Sequence, residues 1–434
     1  MSKRAQQTGL AEWPNENDPE NPRNFSPSTK WGLTIHYGLM TLVITFASSV
    51  FSSATTVTSE LFQVSSKVMY LGTALNVLGF AFGPLIFGPL SEVYGRKSPL
   101  IIGFFIFCIF NIPVAVAKNL ETILICRFII GIGGAAPLTI SGGAFVDIFL
   151  PVERGVAVCV FGSATFMGSI IGPIVGGFVT ESYLGWRWTA WLTFIPGSVL
   201  WMVLFALIPE TYAPVIIARR ARRDKPDIEG SMNRVSPEGI QLETKDIVRR
   251  YLLRPVAMLI REPILALMTI YMSLIYGIFY LFFEAYPISF SEERGWSLGV
   301  GALPFLSIGL GIILGTLVVL AHLRLRFKPA YTRGETVPPE ERLVPMIIGA
   351  PLFPIGMLWF AWTSNQNIHW IAQVLAGIPM GMGIMPIFIQ GLVYIIDTYA
   401  QLSSSAVAAN VFLRSWIAAA FTMFATAMYH NLGL

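Results

Sequence analysis

The chain has 434 residues, 54% of them hydrophobic and only 12% charged, with 29 Lys and Arg against 25 Asp and Glu for a net charge of +4. A mean hydropathy of +0.64, set against the roughly one-quarter charged residues of soluble domains, excludes an ordinary soluble protein and makes this a membrane protein. So small a net charge gives no nucleic-acid footprint, and the placement of the basic residues carries the information instead.

Residues 1–32, including "EWPNENDPENPRNFSPSTK", are polar and rich in Pro and Asn. No apolar core followed by a small-residue cleavage site occurs there, so no removable signal is expected and the first span should target the chain. A span needs about 20 mainly apolar residues. Eleven runs qualify: 33–53, 69–90, 99–117, 122–146, 156–179, 188–208, 264–287, 299–321, 344–363, 368–396 and 404–428. With a cytoplasmic N-terminus, Lys3, Arg4, Arg23, Lys30, Arg96, Lys97, Arg154, the basic stretch after the sixth span and the Arg324–Arg342 loop all fall inside. Only Lys67, Lys118, Arg187 and Arg294 remain outside, and that asymmetry sets the orientation. The "NFS" at Asn24 fits a glycosylation sequon that this topology leaves silent.

The expected organisation is a tail (1–32), a six-helix bundle (33–208), a polar linker (209–263) read as a solvated segment held at the headgroups, and a second bundle (264–434) with five helices. Six spans, a basic linker and a similar set again suggest the two-fold repeat of secondary transporters. Asp147 in "GGAFVDIF" and Asp397 in "GLVYIIDTY" end the fourth span of each half. Both are read as interface or loop contacts in preference to proton carriers.

Taken in chain order, the residues that need reasons begin with Asn76 in the second span, because an amide in lipid must find a partner. The turn "GPLSEVYGRKSPL" then interrupts two apolar runs with Gly88, Glu92, Gly95, Arg96 and Lys97. Arg127 lies a turn or two into the fourth span; snorkelling to the outer interface is its plain explanation. The fifth span reads "FMGSIIGPIVGGFV". Gly168, Gly172 and Gly176 share one helix face that lets another backbone approach, Gly177 adjoins it, and Pro173 removes a donor and favours a kink.

The seventh span carries Tyr276, Phe279, Tyr280 and Phe283 at helical spacing, either a substrate-stacking face or a packing stripe. Glu284 follows, the best intramembrane acid, able to carry a proton, to counter a cationic substrate or to stand as a plain mouth residue. Gln373 and Gln390 are further buried amides. Arg414, beside Asn410 one turn earlier, is read as attracting an anionic group or balancing an acid such as Glu284. Cys108, Cys126 and Cys159 lack redox or metal spacing, and His36, His322, His369 and His430 are too scattered for a local metal site. No cofactor or metal is expected.

The turn Gly88-Pro89-Leu90-Ser91-Glu92-Val93-Tyr94-Gly95-Arg96-Lys97, the "CRFIIGIGGAA" around Arg127 and the Gly-x-x-x-Gly-Pro-x-x-Gly-Gly from Gly168 to Gly177 resemble three motifs of the major facilitator superfamily. Within it they are similar to the twelve-helix drug:proton antiporters. "DPENPRNFSPSTKW", "PETYAPVIIARRARR", "FFEAYPISFSEERGWSLGVGALPF" and "VDIF" look like the fungal branch, over a stretch from about residue 18 onward. Glu92 and Val93 depart from that family's usual Asp and basic residue, and eleven runs stand where it has twelve helices.

The resemblance implies an all-α fold of two pseudo-symmetric bundles, a role for Arg127 in proton coupling, and a conformational latch in which Glu92 with Arg96 or Lys97 joins spans two, three and eleven. The expected function is a secondary active transporter that exports amphipathic organic compounds, such as drugs, toxins or secondary metabolites, by proton antiport and alternating access. It would act as a monomer in the plasma membrane, or in a vacuolar one. The alternatives are a dedicated exporter or importer of one metabolite or polyamine, and, more remotely, a membrane sensor or enzyme. The chain lacks a Gly-x-x-x-x-Gly-Lys-Ser/Thr loop, so ATP is not the expected energy source.

Overall fold

Each apolar run becomes helix, since in a bilayer a helix satisfies its own backbone donors and acceptors. The computed structural model describes residues 18–224, 254–335, 338–399 and 402–433. Most of the expected tail (1–17) and the middle of the linker (225–253) lie outside the described residues. The spanning helices are α1 (Pro27–Val50), α2 (Ser66–Val93), α3 (Lys97–Ala115), α4 (Leu120–Ile148), α5 (Pro151–Glu181), α6 (Arg187–Leu207), α7 (Pro263–Tyr286), α8 (Phe305–His322), α9 (Leu343–Thr363), α10 (Gly377–Thr398) and α11 (Ser403–Leu432). Eleven described helical segments are long and apolar enough to cross a membrane.

Several helices begin a turn before the apolar runs do, because their first residues are caps. Ser26 accepts from the Thr29 amide with Pro27 at the first position of α1, Asn119 accepts from the Thr122 amide at α4, and Pro151 opens α5. Two runs that read as continuous are broken. The run at 299–321 is a short helix, Leu298–Ala302, then a turn through Leu303 and Pro304 into α8. The run at 368–396 is Trp370–Leu375, then Ala376, then α10. Beyond its last turn α7 continues as a wider π-helical segment, Pro287–Glu293.

The repeat is visible in the packing. In the first half α1 lies on α5, and α2 and α3 lie on α4; in the second α7 lies on α11, and α8 and α9 lie on α10. Small residues set these close crossings: a methyl built on Gly79 of α2 would lie 2.7 Å from Gly131 Cα of α4, and one on Gly311 of α8 would lie 2.8 Å from Gly381 Cα of α10. The halves meet where α2 packs on α11 and α5 on α8, again an exchange-symmetric pair. Apolar side chains such as Ile195, Val199, Met202 and Phe205 of α6, and Ile347, Ile355 and Leu358 of α9, face outward, as a lipid solvent allows.

Candidate functional site

Inside the first half, toward the end where α4 begins, Arg127 of α4 is 3% exposed. Its Nε donates to Gly72 O at 2.9 Å, its Nη1 to Ala47 O at 2.9 Å and its Nη2 to Ser48 O at 3.3 Å. The Phe51 ring centroid is 4.6 Å from the guanidinium. Ala47 and Ser48 belong to the last turn of α1, just before it tightens into the 3-10 turn Phe51–Ala54. A cation is therefore held there without a carboxylate, tying α1, α2 and α4 together and facing inward instead of snorkelling. Asn76 Nδ2 donates to Arg127 O at 3.0 Å, so that candidate serves the same junction.

A second centre joins the halves. The ring of Phe166 on α5 lies 5.8 Å from Phe279 on α7 and 5.4 Å from Phe388 on α10. The Tyr280 hydroxyl is 3.2 Å from Ser48 Oγ and 3.5 Å from the Tyr276 hydroxyl. The aromatic stripe of α7 thus faces the protein interior, with Phe279, Tyr280 and Phe283 buried. The guanidinium of Arg414 on α11 sits over Tyr276 at 4.7 Å and near Phe388 at 5.5 Å. Among the described residues it meets no carboxylate, and its buried Nε has no hydrogen-bond partner. Asn410 donates weakly to Thr269 Oγ1 at 3.4 Å, Gln373 Nε2 donates to Ser289 Oγ at 2.7 Å, and Gln390 keeps a buried, unpartnered Nε2.

Glu284, 7% exposed near the end of α7, faces Tyr70 of α2 and Thr426 and Tyr429 of α11. Arg414 does not balance it, contrary to that sequence expectation. Tyr276, which Arg414 covers, is eight residues earlier on α7, about 12 Å along a helix.

The turn between α2 and α3 is held as a lock within the first half. Arg96 Nε donates to Asp147 Oδ2 at 3.1 Å and Nη1 to Ser91 Oγ at 3.0 Å. The Glu210 carboxylate accepts from the Arg96 amide at 2.8 Å and the Lys97 amide at 3.1 Å, capping α3. It also accepts from the Thr211 and Tyr212 amides, each at 2.9 Å. Gly95 has φ +88°, and any Cβ would enter the space of the Glu210 carboxylate, so glycine is needed twice over. Gly88 has no comparable restriction. Glu92 occupies the last turn of α2. The partner expected on the eleventh span is thus replaced, for Arg96, by Asp147 and Glu210.

A link between the halves at this end is made by Asp397. Asp397, at the end of α10, accepts from Arg342 Nε at 3.2 Å and, across the halves, from Arg154 Nη2 at 3.3 Å. Arg342 is 2% exposed and stacks 3.8 Å from the Phe327 ring centroid. Asp397 with Arg342 repeats Asp147 with Arg96, and an acid at a helix C-terminus, repelled by the dipole, requires such a cation. Nearby, Arg220 of the helix Ala213–Asp224 binds Asp18. The Glu20 amide, and then Arg220, hold the Asp18 carboxyl below its ordinary value. At the opposite end Glu181, closing α5, accepts from the Leu298 amide and from the Gly299 amide at 3.2 Å, at the start of the short helix before α8.

The glycine face of α5 is seated on α1. Side chains at Gly168, Gly172 and Gly176 would collide with backbone or hydroxyls at Leu42, Thr45, Ser49 and Val50, while Gly177 abuts the Leu298 carbonyl of the other half. The Pro173 carbonyl accepts from Ser53 Oγ at 2.9 Å. Glu210, Glu181, Arg154 and Arg342 were not singled out from the sequence. The "PET" after the sixth apolar run was visible for Glu210, but its partner lies 114 residues away.

A family model described as Major Facilitator Superfamily matches residues 37–423. A citrinin biosynthesis cluster transporter of Monascus ruber is 51% identical over 98% of this chain and 85% of its own length. A cercosporin transporter of Cercospora nicotianae is 42% identical over 98% of this chain and 83% of its own. The solved structure of the proton:xylose symporter XylE superposes with a TM-score of 0.62 at 15% identity, covering 94% of this chain and 97% of that one.

Proposed function

The chain belongs to the major facilitator superfamily, a family of transporters and not of enzymes, and from that premise we propose that it exports amphipathic organic molecules of the secondary-metabolite class in exchange for protons, by alternating access. Relatives named for citrinin and ascochitine biosynthesis clusters support the substrate class. The observation that carries proton exchange is Glu284: a buried carboxyl, facing hydroxyl groups of α2 and α11, placed where the halves meet and where opening that end must rehydrate it. One charge moving through 100 mV supplies about 2.3 kcal/mol.

Alternating access needs closures at both ends that are made and broken in turn. Arg154 with Asp397 would form one, and Glu181 on the Leu298 and Gly299 amides the other. The glycine face of α5 on α1 binds the first half into one body, and the halves move along the α5–α8 and α2–α11 contacts. Arg127 acts in coupling by fixing Ser48, whose hydroxyl meets Tyr280 of the second half. The end bearing Arg96 and Arg154 is cytoplasmic in this reading, with the N-terminus on the same side, and the protein works as a monomer in the plasma membrane. Relatives tied by name to single biosynthetic clusters favour a dedicated exporter over a broad drug pump.

The test is to express the chain in cells stripped of their own exporters and follow loss of fluorescent amphipathic probes of either charge. Export that an uncoupler abolishes, and that Glu284→Gln reduces at least tenfold at equal surface abundance, is the expected result. Export that neither treatment touches would overturn proton coupling.

A further inference from the structure

We infer that the site around Arg414 recognises an aromatic anion, and that Arg414 is the residue that selects its charge. This rests on the transport reading above and narrows its substrate class. Three other arginines at the spans are already occupied: Arg127 by three carbonyls, Arg96 by Asp147, Arg342 by Asp397. Arg414 has no hydrogen bond and no ion pair with any described residue. Its contacts are the faces of Tyr276 and Phe388. Ring faces attract a cation but leave its N–H donors unused.

A guanidinium placed in a spanning helix is costly unless something offsets it. The only acid noted nearby on α7, Glu284, is about two helical turns further along, and its own α11 neighbours, Thr426 and Tyr429, are twelve and fifteen residues beyond Arg414. Among the described residues no fixed counter-ion therefore serves Arg414. A planar anion, carboxylate or sulfonate, matches a guanidinium with two parallel hydrogen bonds. The same location supplies an apolar clamp: Tyr276 and Phe279 from α7, Phe388 from α10 and Phe166 from the opposite half pack ring against ring. Aromatic faces around a single cationic donor describe a ligand with an aromatic body and one negative group. Because the clamp contains rings from both halves, such a ligand would be bound where the halves part. Exit of an anion and entry of a proton both move charge in the direction a cytoplasm-negative potential favours, so the membrane potential would drive the exchange twice.

The probes are 7-methoxycoumarin-3-carboxylate, its neutral ethyl ester and the cation rhodamine 6G, titrated by fluorescence against the full chain in nanodiscs. The wild type is expected to bind the carboxylate at least tenfold more tightly than the ester, with rhodamine 6G weaker than either. Arg414→Gln should bring the acid-to-ester ratio close to one, and Arg414→Lys, which keeps the charge, should retain part of it and thereby covers a folding failure of the Gln variant. A wild-type ratio near one, no binding of the carboxylate, or a ratio unchanged in Arg414→Gln would overturn the assignment. Should charge selection fail while export holds, the intact cells still show uncoupler-sensitive loss of rhodamine 6G. Should export itself fail, no probe leaves in an uncoupler-sensitive way even where the binding ratio stands.

Discussion

Arg127 and Arg414 lie within spanning helices and are held by opposite means. Arg127 directs three donors at main-chain carbonyls, two of them in the last turn of α1; Arg414 has only ring faces. Arg127→Lys leaves one compact ammonium that cannot span three acceptors from two helices. With charged hydrogen bonds contributing about 1.5 to 3 kcal/mol each, the variant should insert normally but melt at clearly lower temperature in detergent. Gly95→Ala should also destabilise, since it forces φ +88° on a side chain and pushes out the Glu210 carboxylate. Thermal unfolding should show a loss of about 1 kcal/mol or more, and Glu210→Ala alone should reproduce part of it. The intramembrane arginines were legible as residues needing a reason. The acceptors of Arg127 were not, because they are carbonyls, which every residue has, and only packing decides which of them a guanidinium reaches.

At the level of the helix, the fifth span was the most informative stretch. Its Gly-x-x-x-Gly-Pro pattern gave a face of missing side chains, and that face lies on α1 with no room for a methyl group. Gly172→Val should still reach the membrane, as the variant is more hydrophobic, yet hold α1 and α5 apart. Surface-normalised export should fall at least tenfold, and export at the wild-type rate would show that the close approach is dispensable. Hydropathy did not reveal the breaks before α8 and α10. The residues around Pro304 and Ala376 are as apolar as the helices they separate, and a turn there is tolerated because it is buried within protein.

Across the whole molecule, contacts join the halves at both ends and in the middle. Asp397→Asn removes the acceptor that Arg154 reaches from the other half, whereas Asp147→Asn breaks a pair confined to the first half. Ser163 of α5 touches Thr316 of α8 at 2.8 Å, so a Ser163→Cys background reports opening between the halves. Maleimide labelling from the Arg154 side should accelerate about tenfold with Asp397→Asn, the equivalent of about 1.4 kcal/mol. It should change little with Asp147→Asn, and equal acceleration by both would argue against a gate at Asp397.

The sequence by itself determined the solvent, the number of apolar runs, the repeat and the family motifs, because hydrophobic length and close-packing glycines are local properties that a bilayer reads directly. It also placed Asp147 and Asp397 at equivalent positions. Only the tertiary structure decided which cation each acid meets, why Gly95 is required, and that Arg414 and Glu284 are separate groups and not a pair. These depend on distances between residues tens to hundreds of positions apart, set by how two bundles of helices pack, and charge pairing in low dielectric is decided over a few ångströms.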